Sequence, residues 1–351
     1  MTSIMEMPEL VMEKIVGFSD FKAVLTLRQV CRDFQNFIDD LKDSKLPDSE
    51  ISEIEIISKK DENKIILRFM HSPGDYHRVE YSEMENSRSF ESEEEEEENP
   101  RRKTITDLGG SNVVDVAIRD LELVLRFQKS KLFTSYFQFD DFRLLNDSTI
   151  HTLPTRLSNM FNVSCPRIKT REIRMKVYDS SQILPILQFA DPTNLSLLEI
   201  CSMDNNMEVD SKEIVETDYW KKANEVHCDF HMSNLKVEDV CHFYNITLKT
   251  NSFNAKDMDT LKKAFLSLPE HSIYDSWTIR LKDFNESDEL SNLWGPPFDF
   301  GFATAWHFRL KDLKKNVLQI YSEMDDSQEY NIFDFTIMGL KHVPNGAVVH
   351  Y

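Results

Sequence analysis

Apolar residues at the start of the chain recur at helical spacing. Leu10, Val11, Ile15 and Phe18 form one set, and Leu27, Val30, Cys31, Phe34, Phe37, Ile38 and Leu41 form another. Spacings of three and four bring each set to one face of a helix, so Met7 to Asp40 predicts two or three short helices. Pro8 suits a first helical turn, whose N–H has no partner within the helix. Asp20 is placed to cap the helix that carries Val24 and Leu25. A unit of about 35 to 45 residues cannot bury enough surface to stand alone. Its apolar faces need a partner, which is either the rest of the chain, with the unit as a small helical cap, or another protein.

From Ser49 the period changes. Ile51 to Ile57, Ile65 to Phe69 and Tyr76 to Tyr81 are short β-rich runs, separated by the turn chemistry of Asp61-Glu62-Asn63 and Ser72-Pro73-Gly74-Asp75. They predict an antiparallel meander. The consecutive acids Glu93 to Glu98 repel one another, so residues 84–102 are expected to form a disordered loop. That loop is an interaction tail for basic partners or, more simply, a solvated insertion in a hairpin. A strand resumes near Ile105, and Val113 to Phe127 reads as an amphipathic helix.

Strands centred on Phe137, Met175, Ile200, Cys228, Leu248 and Ile279 then alternate with helical segments. These carry Ile183, Leu184, Leu187 and Phe189; Ile214, Val215 and Trp220; Leu235, Val237, Val240 and Cys241; and Met258, Leu261, Ala264 and Phe265. A period of roughly 25 residues suggests an irregular leucine-rich-repeat-like arrangement. Phe243-x-x-Ile246-x-Leu248-x-x-Asn251-x-Phe253 is its clearest unit. A doubly wound sheet uses the same alternation, but the chain has only 8 glycines and no Gly-rich phosphate loop. Trp306 to Leu310, Val317 to Tyr321 and Ile332 to Ile337 close the chain as further strands.

The formal charge of −20 argues against nucleic acid and anionic membranes as partners. No apolar run is long enough to span a bilayer, and the helical module begins too near Met1 to leave room for a signal peptide. The expected location is therefore cytoplasmic or nuclear. The five cysteines, Cys31, Cys165, Cys201, Cys228 and Cys241, are scattered and odd in number, which fits reduced thiols. Metal-ligating residue types gather only at His227, Cys228, His231, Cys241 and His242. Adjacent strand residues point to opposite faces, so a tetrahedral zinc site is not expected there, and neither a metal nor a cofactor is called for. No nucleophile elbow, phosphate loop or metalloprotease motif is present.

The first module also carries a family resemblance. Met7-Pro8, Val11-Met12, Ile15-Val16, then Leu25, Val30-Cys31-Arg32, Phe34 and Phe37-Ile38 resemble an F-box. That motif runs Leu-Pro, two apolar residues, Ile-Leu, a leucine, then Val-Cys-Arg, an aromatic and an apolar residue. The resemblance implies a three-helix module docking on a Skp-type adaptor in cullin-based ubiquitin ligases. Pro8, Leu10, Val11, Ile15, Leu25, Leu27, Val30, Cys31, Phe34 and Phe37 would supply the adaptor-binding surface or hold the helices together. Ser19 stands where such motifs usually carry a leucine, and Gly17 costs about 1 kcal/mol against alanine in a helix. Phe18 or Phe21 is expected to fill the space.

A second resemblance follows. Phe139-Asp140-Asp141-Phe142, Tyr178 to Ile183, Phe189-Ala190-Asp191-Pro192, Trp220-Lys221-Lys222-Ala223 and Asn285 to Pro297 are similar to the FTH domain, which follows an F-box in a large nematode family. The expected chain is thus mixed α/β (α+β). It comprises an F-box over residues 1–46, a β-meander over 47–110, the repeat-like FTH domain over 111–297, and C-terminal strands over 298–351 packed on it. The resemblances imply a non-catalytic receptor subunit that binds a Skp-family adaptor, through it a cullin, and an unidentified protein target. The alternatives are an interaction protein working outside any ligase and, without motif support, a hydrolase or transferase on an α/β scaffold.

Overall fold

Three of the longer helices, Phe21–Val30, Val113–Leu125 and Ala255–Leu266, begin where a short polar side chain takes up free N–H groups. Asp20 accepts from the Ala23 N–H at 2.6 Å, Asn112 from that of Val114 at 2.8 Å and Asn254 from that of Lys256 at 2.9 Å. Each replaces an acceptor that the first helical turn lacks. The computed structural model describes residues 7–72, 75–93, 104–142, 148–163, 167–204, 207–268, 275–310, 315–325 and 329–350. The expected Pro73-Gly74 turn, residues 94–103 with most of the acidic tract, and Cys165 lie outside the described residues.

The helices are α1 (Glu9–Phe18), α2 (Phe21–Val30), α3 (Arg32–Asp40), α4 (Val113–Leu125), α5 (Leu153–Val163), α6 (Ile183–Leu187), α7 (Lys212–Val215), α8 (Asp218–Lys222), α9 (Ala255–Leu266) and α10 (Ser287–Trp294). The chain divides into two compact units, Met1–Arg171 with Pro185–Asn194, and Glu172–Leu184 with Leu195–Tyr351.

In the first unit the strands are β1 (Glu53–Lys59), β2 (Lys64–Ser72), β3 (Asp75–Ser82), β4 (Ser87–Glu93), β5 (Thr104–Asp107) and β6 (Leu132–Phe139). They run β5-β4-β3-β2-β1-β6, antiparallel except for the parallel β1–β6 pair. Residues 87–93, assigned to the acidic loop by composition, are a correction: they form β4, paired along its length with β3. Antiparallel pairing needs only backbone groups, so a serine- and charge-rich strand escapes a hydrophobic pattern. Its Arg88 reaches the Asp120 carboxylate at 2.9 Å, where the Tyr81 hydroxyl also donates at 2.9 Å. Helix α4 buries Val113, Val114, Ala117, Leu121 and Leu125. Phe189 meets Phe137 and Phe161 edge-on, with centroids 5.1 Å and 4.8 Å away.

The second unit begins with four parallel neighbours in the order β7 (Thr170–Val177), β8 (Leu197–Ser202), β10 (Glu225–Ser233) and β11 (Asn245–Thr250), with the short β9 (Glu208–Asp210) beside the far end of β10. Next comes β12 (Ser276–Lys282), parallel to β11. The order then turns antiparallel through β16 (Tyr330–Gly339), β15 (Asn316–Met324) and β14 (Ala303–Arg309), flanked by β13 (Phe298–Asp299) and β17 (Val349–His350). All six expected strand centres, from Phe137 to Ile279, fall inside strands, and β14 to β16 lie where the closing strands were expected. One segment differs. Leu235 to Cys241 forms no α-helix but a single 3₁₀ turn, Val237–Asp239, with the Asp239 carboxylate accepting from the Lys236 N–H at 3.0 Å.

Trp277 anchors this unit. It is fully buried, lies 5.1 Å from Phe265 and 5.9 Å from Phe335 between ring centroids, and donates its indole N–H to the Phe243 carbonyl at 3.2 Å. Trp277→Ala is expected to cost about 3–5 kcal/mol in urea unfolding, and a loss under about 1 kcal/mol would show that the site collapses onto its neighbours. Gly295-Pro296-Pro297, expected as a turn, is an irregular link between α10 and β13. Gly295 has φ 86°, its carbonyl accepts from the Trp306 indole at 2.9 Å, and a Cβ there would come within 2.5 Å of the His350 ring.

Candidate functional site

The apolar start of the chain folds as α1 to α3 around Val16, Phe21, Val24, Ile38 and Leu41, joined by Leu46 and by Phe127 just beyond α4. Phe21 and Phe127 meet edge-on at 5.0 Å. Arg28 on α2 forks onto the Asp39 carboxylate of α3 at 2.7 Å and 2.9 Å, a bidentate geometry that fixes both helices. Lys45 pairs with Glu13. The same end of α4 is tied in by polar bonds, because Arg126 donates to the Leu41 carbonyl at 2.7 Å and to Asp43 at 2.9 Å. Lys129 donates to the Ser44 carbonyl at 3.0 Å. The module therefore has an intrachain partner for one of its faces.

The candidate site residues divide in two. Leu10 and Val30 are each 64% exposed, Val11 is 41% exposed, and Pro8 and Cys31 are also exposed. Ile15, Leu25, Leu27 and Phe37 are half-buried, and Phe34 is buried. Leu25, Leu27 and Phe37 pack against the module's own core. On α1, Leu10, Val11 and Phe18 share the side opposite the buried Met12 and Val16. Phe21, not Phe18, occupies the interior beside Ser19, since Phe18 is 89% exposed. The Ser19 hydroxyl closes α1 by donating to the Ile15 carbonyl at 2.8 Å. Exposed Phe18, part of the helical set read from sequence, and Met7 just before α1 extend this apolar side beyond the expected adaptor-binding residues.

Asp48 fastens the segment after the module. Its carboxylate accepts from the Lys129 N–H at 3.0 Å and the Glu50 N–H at 3.2 Å. Burial works to raise its pKa, but hydrogen bonds from the Lys129, Glu50 and Ser130 backbone outweigh it and hold the pKa below the ordinary aspartate value. A depressed native pKa contributes stability above the unfolded value of about 4, lost as pH falls through the native pKa. Asp48→Asn is therefore expected to destabilise the chain at neutral pH, with the gap to wild type closing below about pH 4. A gap constant across a pH series of unfolding curves would refute the assignment.

The residues considered for metal do not converge. Cys228 is buried on one face of β10, while its neighbour His227 is half-exposed on the other. Among the described residues no group of three His, Cys, Asp or Glu could hold an ion. Burial, with Asp229 and Glu199 nearby, pushes the Cys201 thiol up to about 12, and burial with Glu238 pushes Cys241 up to about 11. Neither is a thiolate near neutral pH. Among the described residues no helix is long and apolar enough to cross a membrane.

Residues 4–46 match the F-box domain, and residues 151–296 match the FTH domain. The chain is an F-box protein with an FTH domain. Comparison with curated proteins and with solved structures gives no significant match. An F-box generally binds a Skp-type adaptor and through it a cullin, and F-box proteins are typically non-catalytic substrate adaptors. In this F-box protein the matched module is α1 to α3, and its exposed and internal apolar residues are now separate sets.

Proposed function

We propose that this F-box protein is the substrate-recognition subunit of a Skp–cullin–F-box ubiquitin ligase, with the adaptor on its F-box and a protein target on its FTH domain. The observation that carries the first half is the exposure of Leu10, Val11 and Val30 on a module whose other face is already packed. Apolar side chains left in water on a braced scaffold are what an interface of about 1,200–2,000 Å² covers. Pro8 and Cys31 join this surface, while Ile15, Leu25, Leu27, Phe34 and Phe37 hold it in place. Residues 1–46 thus serve as the adaptor end, braced by the end of α4 around Phe127, 47–110 form a meander, and 111–297 with the strands of 298–351 serve as the target end.

The target end is read as irregular and leucine-rich-repeat-like, its parallel strands offering one open face to a partner. Catalysis is by proximity, since a receptor holds a lysine-bearing target near a charged conjugating enzyme and raises its effective concentration. The ubiquitin machinery it would serve places it in the cytoplasm or nucleus. A pull-down of the native chain with the Skp-type adaptor tests the reading, and absence of capture would leave an interaction protein acting outside any ligase.

A further inference from the structure

Strands β10, β11 and β12 alternate strictly, with buried residues, all apolar but Thr250, on one face and half-exposed or exposed polar ones on the other. Near the carboxyl ends of these three neighbours, the register sets His231 beside Lys249 and Lys249 beside Arg280. Lys282, two residues beyond Arg280, points to the same face. The Lys249 ammonium lies 6.0 Å from the Tyr330 ring centroid, and Tyr330 is the register partner of Lys282 across β16.

Neighbouring strands are about 4.8 Å apart, and like charges set side by side destabilise a sheet. Yet among the described residues neither Lys249, Arg280 nor Lys282 forms an ion pair. Ile332, not an acid, stands across from Arg280. Two nearby acids have other donors: Asp334 accepts from the Thr278 hydroxyl at 2.6 Å, and Glu323 from the Tyr321 hydroxyl at 3.1 Å. In a chain with 61 acids and 41 Lys and Arg, an unpaired cationic cluster is against the trend of the whole surface. A cavity of about 550 Å³ opens at the same ends of β10 and β11, with Lys212, Lys236, Asn234 and Asn251 among its walls. The carboxyl ends of parallel strands are where open α/β sheets bind ligands.

We propose that this surface binds an acidic, Asp- and Glu-rich segment of a target protein, laid extended along β12 over the carboxyl ends of β11 and β12 with its carboxylates on Lys249, Arg280 and Lys282. The cations are spread rather than convergent. Arg280 and Lys282 sit about 6.6 Å apart along β12, the spacing of alternate side chains in an extended chain. Successive carboxylates match that spread, whereas a single dianion does not. The surface lies within the residues matched to the FTH domain, and only the ligand's identity as a target rests on the receptor reading.

Full-length protein titrated into a fluorescein-labelled ten-residue peptide of alternating Glu and Ser tests this by anisotropy at low salt. Saturable binding is expected, weakening with added salt and by about ten-fold in Lys249→Glu/Arg280→Glu, the loss of two exposed charge pairs. Lys249→Gln/Arg280→Gln, which reverses no charge, is expected to lose affinity by about three-fold. No binding, equal binding by both variants, or binding of a phosphoserine peptide but not the glutamate peptide would overturn the proposal. Adaptor capture on the same preparations is read separately. Peptide binding without adaptor capture supports the surface and defeats the ligase reading.

Discussion

Leu10→Asp combined with Val30→Asp is expected to abolish capture of the Skp-type adaptor while leaving the chain as stable as wild type to within about 1 kcal/mol. Both side chains are mostly in water, so the folded chain loses little packing when they change. At an interface the balance reverses. Each forfeits roughly 1.5–3 kcal/mol of apolar burial, and each introduced carboxylate would be buried without a partner. Together these exceed the roughly 2.7 kcal/mol that corresponds to a hundred-fold loss of affinity. The contrast with Leu25→Asp is instructive. Leu25 packs on the module's own core, so charging it lowers stability and binding together and cannot separate them. Retained capture by the exposed double variant, with its unfolding curve unchanged, would remove the adaptor from this surface.

How far the sequence could be read follows from the range of the interaction concerned. Strand centres such as Cys228 and Leu248 were legible because a two-residue period is local, and both lie in strands. Helix α5 carries its signal too, with Leu153, Leu157, Met160 and Phe161 buried on one side, but Pro154 and Thr155 blur its start. Strand β4 was hidden because its inward residues include Ser87 and Ser89, which alternate without an apolar mark. The split between exposed and internal residues of the F-box was not legible at all. It depends on where Leu123, Val124 and Phe127 pack, some eighty residues along the chain. The Lys249–Arg280 juxtaposition is non-local in the same way, since register across two strands, not spacing along one, brings it about.

Phe127→Ala should therefore loosen the F-box although residue 127 lies outside the matched module. The ring is fully buried and meets Phe21 edge-on at 5.0 Å. Its removal is expected to cost about 3–5 kcal/mol, from lost burial plus the cavity left behind. A three-helix unit of this size cannot make up that loss from its own core. What remains is the half-buried Leu123 and Val124 and the bonds from Arg126 to Leu41 and Asp43, polar contacts that contribute about 1 kcal/mol each. Amide protection should fall first in α1 to α3 while β10 to β12 keep theirs, and adaptor affinity should fall with it because the docking face is no longer pre-organised. Hydrogen exchange showing α1 to α3 protected as in wild type would mean that the helices are self-supporting. The F-box would then be a docking module merely attached to this chain rather than one built on it.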